Sequence, residues 1–419
     1  MNIKKLIFIV IIILPLLSLS QEEKKFGIKF SGFVKTDVFF DSRQTTDVRE
    51  GHFLLYPANE ILDVNGDDIN AKSKFNILSI QTRLRGKITG PDAFGAKTSG
   101  LIEGAFFGNI GTDINGFRLR HAFVKLNWTN TELLVGQFWH PMFVTSCFPG
   151  TVSFNTGAPF QPFSRNPQIR LTQKFGDFKI IATALEQIDF VSTGPKGNSP
   201  KYLINSSVPE FNLRFEYNSK NQETGKEVLF GVGGNYKMLT PRLESSVKDT
   251  SGYKIYKSDK KATGMSGIAY FKYKSKDVTF KLEGVYGQLM YSMTMLGGYA
   301  VHDRDSVNGF QDYTPINTLS VWTDIHTNGK KCQFGLFGGY SKNLGSNEKI
   351  TGPYYSRGSN IAYLYRISPR VIINSGKFRI APEIEYTVAA YGTPDEKGVV
   401  RDYKEIGNFR FLIGVFYFF

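Results

Sequence analysis

The chain has 419 residues, 41% of them hydrophobic and 14% aromatic, and its 51 Lys and Arg outweigh 37 Asp and Glu to give a formal charge of +14. That apolar content excludes global disorder, two Cys exclude a disulfide scaffold, and the absence of a Gly-X-Y period or long heptads excludes collagen and coiled coil. A mean hydropathy of −0.22 argues against a helical membrane bundle but not against a membrane barrel, whose strands are apolar on one face only.

Residues 1–20 read as a secretory signal peptide. Lys4 and Lys5 precede an apolar run from Leu6 to Leu17, interrupted only by Pro15, and Ser18-Leu19-Ser20 closes it. The run falls short of the roughly 20 apolar residues of a transmembrane helix. Residues 21–419 are then expected to form one exported domain.

From Gln21 onward the apolar period is two. In 27–40, Ile28, Phe30, Val34, Val38 and Phe40 oppose Lys29, Ser31, Lys35 and Asp37; in 78–89, Leu78, Ile80, Thr82, Leu84, Gly86 and Ile88 oppose Ser79, Gln81, Arg83, Arg85 and Lys87. Sixteen strands are expected, at about 26–41, 76–90, 98–109, 117–128, 132–140, 167–175, 178–189, 207–218, 227–238, 264–274, 277–290, 317–326, 331–341, 360–373, 377–390 and 407–419. Most reach the roughly 9–11 residues with which a tilted strand crosses a bilayer. Odd-to-even connections are long (42–75, 141–166, 190–206, 239–263, 291–316, 342–359, 391–406), with 110–116 the exception, whereas even-to-odd connections are mostly tight. The expected fold is therefore all-β: an outer-membrane, transmembrane antiparallel β-barrel with short periplasmic turns and long external loops. Its last row, Phe409, Phe411, Ile413, Val415, Tyr417 and Phe419, resembles the closing strand read by the outer-membrane barrel assembly machinery. Outer-membrane lipids and that machinery, through Phe419, are the expected partners.

On a barrel the polar parity faces the lumen. It carries Arg83, Arg85, Lys87, Lys125, Arg170, Lys174, Arg214, Lys281, Arg366, Arg379 and Arg410 against Glu103, Glu210, Glu216, Glu283, Glu383 and Glu385. Many of these charges can pair within the wall, yet a cationic excess in a narrow passage concentrates anions. The segment 141–164 has no charged residue and holds Phe143, Phe148, Phe154, Phe160 and Phe163. Such a segment is expected to fold into the lumen as a constriction (141–166, with Arg165 at its exit) or to lie at a subunit contact. The expected pore-lining residues are Arg83, Arg85, Lys125, Arg165, Arg170, Arg214, Arg366 and Arg379.

The stretch 117–138 reads FRLRHAFVKLNWTNTELLVGQF and is followed by Trp139-His140. Together with GPDAFGAKTSGLIEGAFFG before it, this resembles the DcaP-like porins of Gram-negative outer membranes, over about residues 78–170. The resemblance implies a trimeric sixteen-stranded channel for small anionic solutes such as dicarboxylates. The family's amino-terminal coiled coil has no counterpart in this sequence. On a regular strand Arg118 and Arg120 share the outward parity of Ala122 and Val124, unless a bulge turns them inward.

Weaker signals remain. Asp63, Asn65 and Asp67 have the spacing that opens a calcium loop, but Lys74 stands where the closing Glu belongs, so an ordinary turn is the simpler reading. The five His lack paired zinc spacing, and Cys147 and Cys332 are too differently placed for a disulfide. No nucleophile elbow, phosphate loop or nucleic-acid fold is present, so no enzyme, cofactor or nucleic acid is expected. The expected function is passive diffusion of small hydrophilic, anionic solutes through a homotrimeric porin. The alternatives are a plugged barrel acting as an adhesin or structural surface protein and, last, a membrane-embedded hydrolase.

Overall fold

The computed structural model describes residues 26–108, 113–250 and 252–419; the expected signal at 1–20 lies outside them. Sixteen strands form one antiparallel sheet closed on itself. They are β1 (Gly27–Asp41), β2 (Lys74–Leu78 continued by Arg83–Thr89), β3 (Lys97–Ala105), β4 (Arg118–Asn127), β5 (Thr131–Trp139), β6 (Arg165–Phe175), β7 (Phe178–Leu185) and β8 (Glu210–Lys220). The second half comprises β9 (Glu227–Leu239), β10 (Ala262–Lys274), β11 (Val278–Gly287), β12 (Asn317–Thr327), β13 (Cys332–Gly345), β14 (Ile361–Ser375), β15 (Phe378–Pro394) and β16 (Val400–Phe418). Each strand pairs with the next, and β16 returns to β1 with Val34 opposite Tyr417 and Asp41 opposite Arg410. Gly32 and Phe419 exchange backbone hydrogen bonds of 3.2 Å in both directions, which completes the seam. Closure matters because an open edge in hydrocarbon leaves backbone groups unsatisfied.

The alternation sorts the side chains as a membrane barrel requires. On β16, Phe409, Phe411, Ile413 and Tyr417 lie on the outer surface, while Asn408, Arg410 and Leu412 are buried inside. On β15, Ile380 and Ile384 point out and Glu383 and Glu385 point in. Apolar rows outside and charges inside invert the soluble pattern. No described helix is long and apolar enough to cross a membrane; the strands do so.

Three features depart from the sequence reading. The second strand is interrupted at 79–82: Leu78 stands opposite Asp37 but Arg83 opposite Phe33, so five steps along β2 match four along β1. That extra residue reverses the facing. Phe75 and Ile77 point outward before it and Leu84 after it, and Leu78 and Ile80 are buried inside. Next, β4 carries a bulge opposite the step from Glu103 to Gly104, whose partners are His121 and Leu119. Finally, the last hairpin runs on as strand to Pro394 and Val400, which shortens the expected 391–406 loop to 395–399.

Several long connections turn inward, two of them most deeply. Segment 141–164 fills much of the barrel interior, with Met142, Phe143, Val144, Phe154, Phe160 and Phe163 all buried. A small hairpin from the first connection, Thr45–Val48 with Phe53–Pro57, also enters the interior; its backbone pairs only with itself, and all five residues of its second strand are buried. Another connection forms a separate hairpin, Glu244–Asp249 with Gly252–Lys257.

A candidate solute site inside the barrel

A neutral inner loop must find partners for its peptide groups, because a buried N–H or C=O without one is costly. The wall charges supply them. Glu383 Oε2 accepts the N–H groups of Val152 and Ser153, both at 2.6 Å, and Glu385 accepts from Asn155 Nδ2 at 2.6 Å. Asp324 accepts from Gly150 N. On the donor side, Arg366 Nη1 reaches Ala158 O at 2.9 Å, Lys281 reaches Phe148 O at 2.8 Å, and Arg214 reaches Pro141 O at 2.5 Å. These groups come from β8, β11, β12, β14 and β15. The loop is therefore pinned mainly to one side of the barrel, with Lys35 of β1 also reaching Val152 O, and the wall from β2 to β5 faces it across what space remains.

That space is a cavity of about 610 Å³ toward the short-turn end. Lys35, Arg83, Arg85, Arg120 and Arg379 give it positive groups, His121 an imidazole, and Phe33, Phe138, Trp139, Phe143, Phe416 and Phe418 give it rings. Charge there is unbalanced. One buried carboxylate, Glu103, serves Arg85 (2.8 Å), Arg120 (2.9 Å), Arg83 (3.5 Å) and His121 (3.9 Å). Arg379 donates to Asn374 Oδ1 rather than to an acid. Lys35 is buried on Asp37 at 3.0 Å and donates to Val152 O and to Gln81. Guanidinium groups also lie over rings: Arg83 over Phe33 at 5.0 Å and Arg379 over Phe418 at 5.2 Å.

At the external end the cavity is roofed by Val152, Ser153, Phe154 and Phe163. Above these lie the tip of the small hairpin and the neighbouring loops, ring against ring: His52–Phe154 at 4.6 Å, Phe53–Phe163 at 5.0 Å, Phe107–Phe154 at 4.9 Å and Phe53–Phe190 at 5.5 Å. Within the layer Asp189 receives Arg118 Nη2 at 2.9 Å and Arg165 Nε at 2.7 Å.

The eight residues expected to line the pore thus separate into groups. Arg83, Arg85 and Arg379 face the cavity. Arg165 lies behind it, over Trp139 at 4.9 Å and Phe163 at 5.4 Å. Arg214 and Arg366 hold the inner loop, and Arg170 donates to Trp139 O where that loop begins. Lys125 pairs with Glu132 at 2.8 Å. Sequence reading did not name Lys35, Gln81, His121 and Arg49 as site groups, and it left Arg120 open between an outward parity and an inward turn at a bulge. Lys35 stood on the polar parity of its strand and was legible; the bulge turns Arg120 inward. The Asp63–Asp67 turn spends Asp63 Oδ1 on the N–H groups of Asn65 and Asp67, at 2.8 and 2.9 Å, and these bonds hold its carboxyl below the usual range. Among the described residues no group of His, Cys, Asp or Glu is arranged to hold a metal ion.

The bulge explains the 117–140 motif. With Leu119 exposed and Arg120 and His121 both buried, two consecutive residues turn inward, and Val124 resumes the outward row. Gln137 of β5 covers the disrupted ladder by donating to Arg120 O at 2.9 Å. Beside it, Gly136 adopts φ +132°, and a Cβ there would lie 2.2 Å from Ala122 O. Only glycine fits.

No family model and no curated protein matches the sequence. Among solved structures, the outer membrane channel DcaP of Acinetobacter baumannii aligns with a TM-score of 0.65 at 16% identity, over 94% of this chain and 97% of that one. OmpT of Vibrio cholerae, an outer membrane protein, aligns with a TM-score of 0.53 at 11% identity, over 95% and 100%, and its trimer form with 0.54 at 11%, over 94% and 100%. The chain has a DcaP-like porin fold; at these identities the likeness is one of fold alone.

Proposed function

We propose that the protein is an outer-membrane porin that passes small hydrophilic, anionic solutes, dicarboxylates among them, by diffusion. The observation that carries this reading is Glu103: one carboxylate set against three guanidinium groups and an imidazole on the free wall of the cavity. A low-dielectric passage lined by surplus cations lowers the barrier for anions and raises it for cations. The outward apolar rows take up outer-membrane lipid, and the Phe419 seam is the segment offered to the barrel assembly machinery. A homotrimer is part of the proposal. It is supported by the trimer form of a protein with this fold.

The test is the reversal potential of the purified protein in planar bilayers under a KCl gradient. An anion-selective potential is expected; a cation-selective one overturns the anion claim. The aromatic roof favours one second reading, a plugged barrel acting at the surface. Correctly folded, heat-modifiable protein that never conducts would select it.

A further inference from the structure

Three guanidinium groups from different parts of the chain meet one acid at the external side of the cavity roof. Arg118 opens β4 and Arg165 opens β6, both at the long-loop end, and Arg49 stands on the tip of the inserted hairpin. Asp189, on the connection after β7, takes Arg165 at 2.7 Å, Arg118 at 2.9 Å and Arg49 at 3.8 Å. All four residues lie inside the barrel, and Arg49 and Arg165 are almost wholly buried. Three guanidinium groups thus face the one Asp189 carboxylate. The group also keeps unused donors: Nη1 of Arg49 and Nη1 of Arg165 have no hydrogen-bond partner, in a setting where buried guanidinium N–H groups are normally satisfied.

The backbone is strained at Arg49 and next to Asp189. Arg49, Glu50 and Gly51 have φ of 58°, 53° and 89° in succession, and Phe190, beside Asp189, has φ 62°. Non-glycine residues hold such angles only where their surroundings impose them, often at functional positions. Arg49 is further placed by the rings of Phe107 (4.6 Å), Phe190 (5.5 Å) and Phe154 (5.7 Å) and by donating to Gly108 O at 3.1 Å. The cluster adjoins the cavity: Arg165 rests on Trp139 and Phe163, which line it from the other side, and Arg118 and Arg120 share the Phe107 ring at 4.9 and 5.3 Å.

From this arrangement we propose that Arg49, Arg118 and Arg165 form an exchange site for a carboxylate-bearing solute, and that Asp189 is the resident carboxylate a passing anion displaces. Three converging forks, two of them with a spare Nη1, match an incoming carboxylate as they match that of Asp189. An internal carboxylate also keeps the site from holding its solute too long, as conduction requires. The inference rests on the anion-channel reading and names the group that gates it.

The experiment measures succinate current through wild type, Asp189→Asn, Asp189→Glu, Arg49→Gln and the Arg49→Gln/Asp189→Asn pair, each first checked for heat-modifiable mobility. With Asp189→Asn the succinate concentration giving half-maximal current is expected to fall at least about fivefold. It is expected to rise with Arg49→Gln, and Asp189→Glu is expected to resemble wild type. A half-saturation point that stays put in Asp189→Asn and Arg49→Gln, while wild type conducts anions, overturns the exchange site and leaves the channel reading standing. Folded protein that conducts nothing in any variant, or a cation-selective wild type, overturns both.

Discussion

His52 shows how one side chain links the inserted hairpin to the wall. Its Nε2 lies 3.1 Å from Asp37 of β1 and its ring stacks on Phe154. Burial pulls its pKa down to about 4; Asp37 opposes the shift, and Lys35 and Arg49 reinforce it. The ring is therefore neutral in the folded protein near pH 7, whereas an unfolded His takes up its proton near pH 6.5. Stability from this residue is complete above about pH 6.5 and falls as the pH drops toward 4, by up to roughly 3 kcal/mol. His52→Gln should flatten the difference in thermal midpoint between pH 7 and pH 4.5; an unchanged difference would assign the acid sensitivity elsewhere. Glu383 acts at the same scale. It accepts two loop N–H groups and Ser368 Oγ, all at 2.6 Å, so Glu383→Leu strands at least two buried donors at about 1–3 kcal/mol each. The unfolding midpoint in detergent should drop accordingly, and noise in single-channel records should grow as the inner loop loosens.

At the scale of elements, alternation made fifteen of the sixteen strands legible as unbroken runs, because a one-sided strand in a barrel must repeat its facing every second residue. What it could not show were the places where an added residue resets the phase, two of them beside the cavity. In β2 the reset puts Leu78 and Ile80 inside, against the reading of the sequence; in β4 it brings Arg118 and Arg120 into the lumen. Polar residues on an apolar parity were the visible symptom, but a subunit contact or a phosphate could have produced the same symptom. The family-like motif is now explained mechanically: Gly136 admits the bulged backbone and Gln137 closes it. Gly136→Ala places a methyl 2.2 Å from a carbonyl oxygen at a φ that disfavours side chains, and should cost at least about 2 kcal/mol. That cost should appear as loss of folded, heat-modifiable protein, with Gly136→Ser no better. The inner loop was legible in kind, as a neutral aromatic segment. Its partners were not, because they lie up to 231 residues away.

For the whole molecule, the +14 charge is a poor guide to selectivity. Arg214, Arg366 and Lys281 donate to loop carbonyls, and Arg410 is engaged twice by Asp41 at 2.7 and 2.9 Å. These cations build the interior. The ones to which we assign solute contact in our proposal are the few around Glu103 and Asp189, which no global count distinguishes. Closure is the other property of the whole. Since Phe419 and Gly32 exchange both hydrogen bonds, deleting Phe419 opens the end of the seam where β1 also meets β2. The truncated chain should accumulate as slowly migrating, heat-insensitive protein on gels, while Phe419→Tyr, which keeps the backbone pair, should fold.

The stacking of Trp139 on Phe143, with ring centroids 3.9 Å apart, has an optical consequence. Only three Trp occur in the chain, and they sample three depths. Trp128 is partly exposed on the outer surface beyond β4, Trp322 is buried against Glu283, and Trp139 sits between the inner loop and Arg165. Native emission therefore contains one fluorophore whose brightness and colour follow the loop and its cationic neighbour. The barrel carries its own light-readable indicator of how the inner loop sits against the wall.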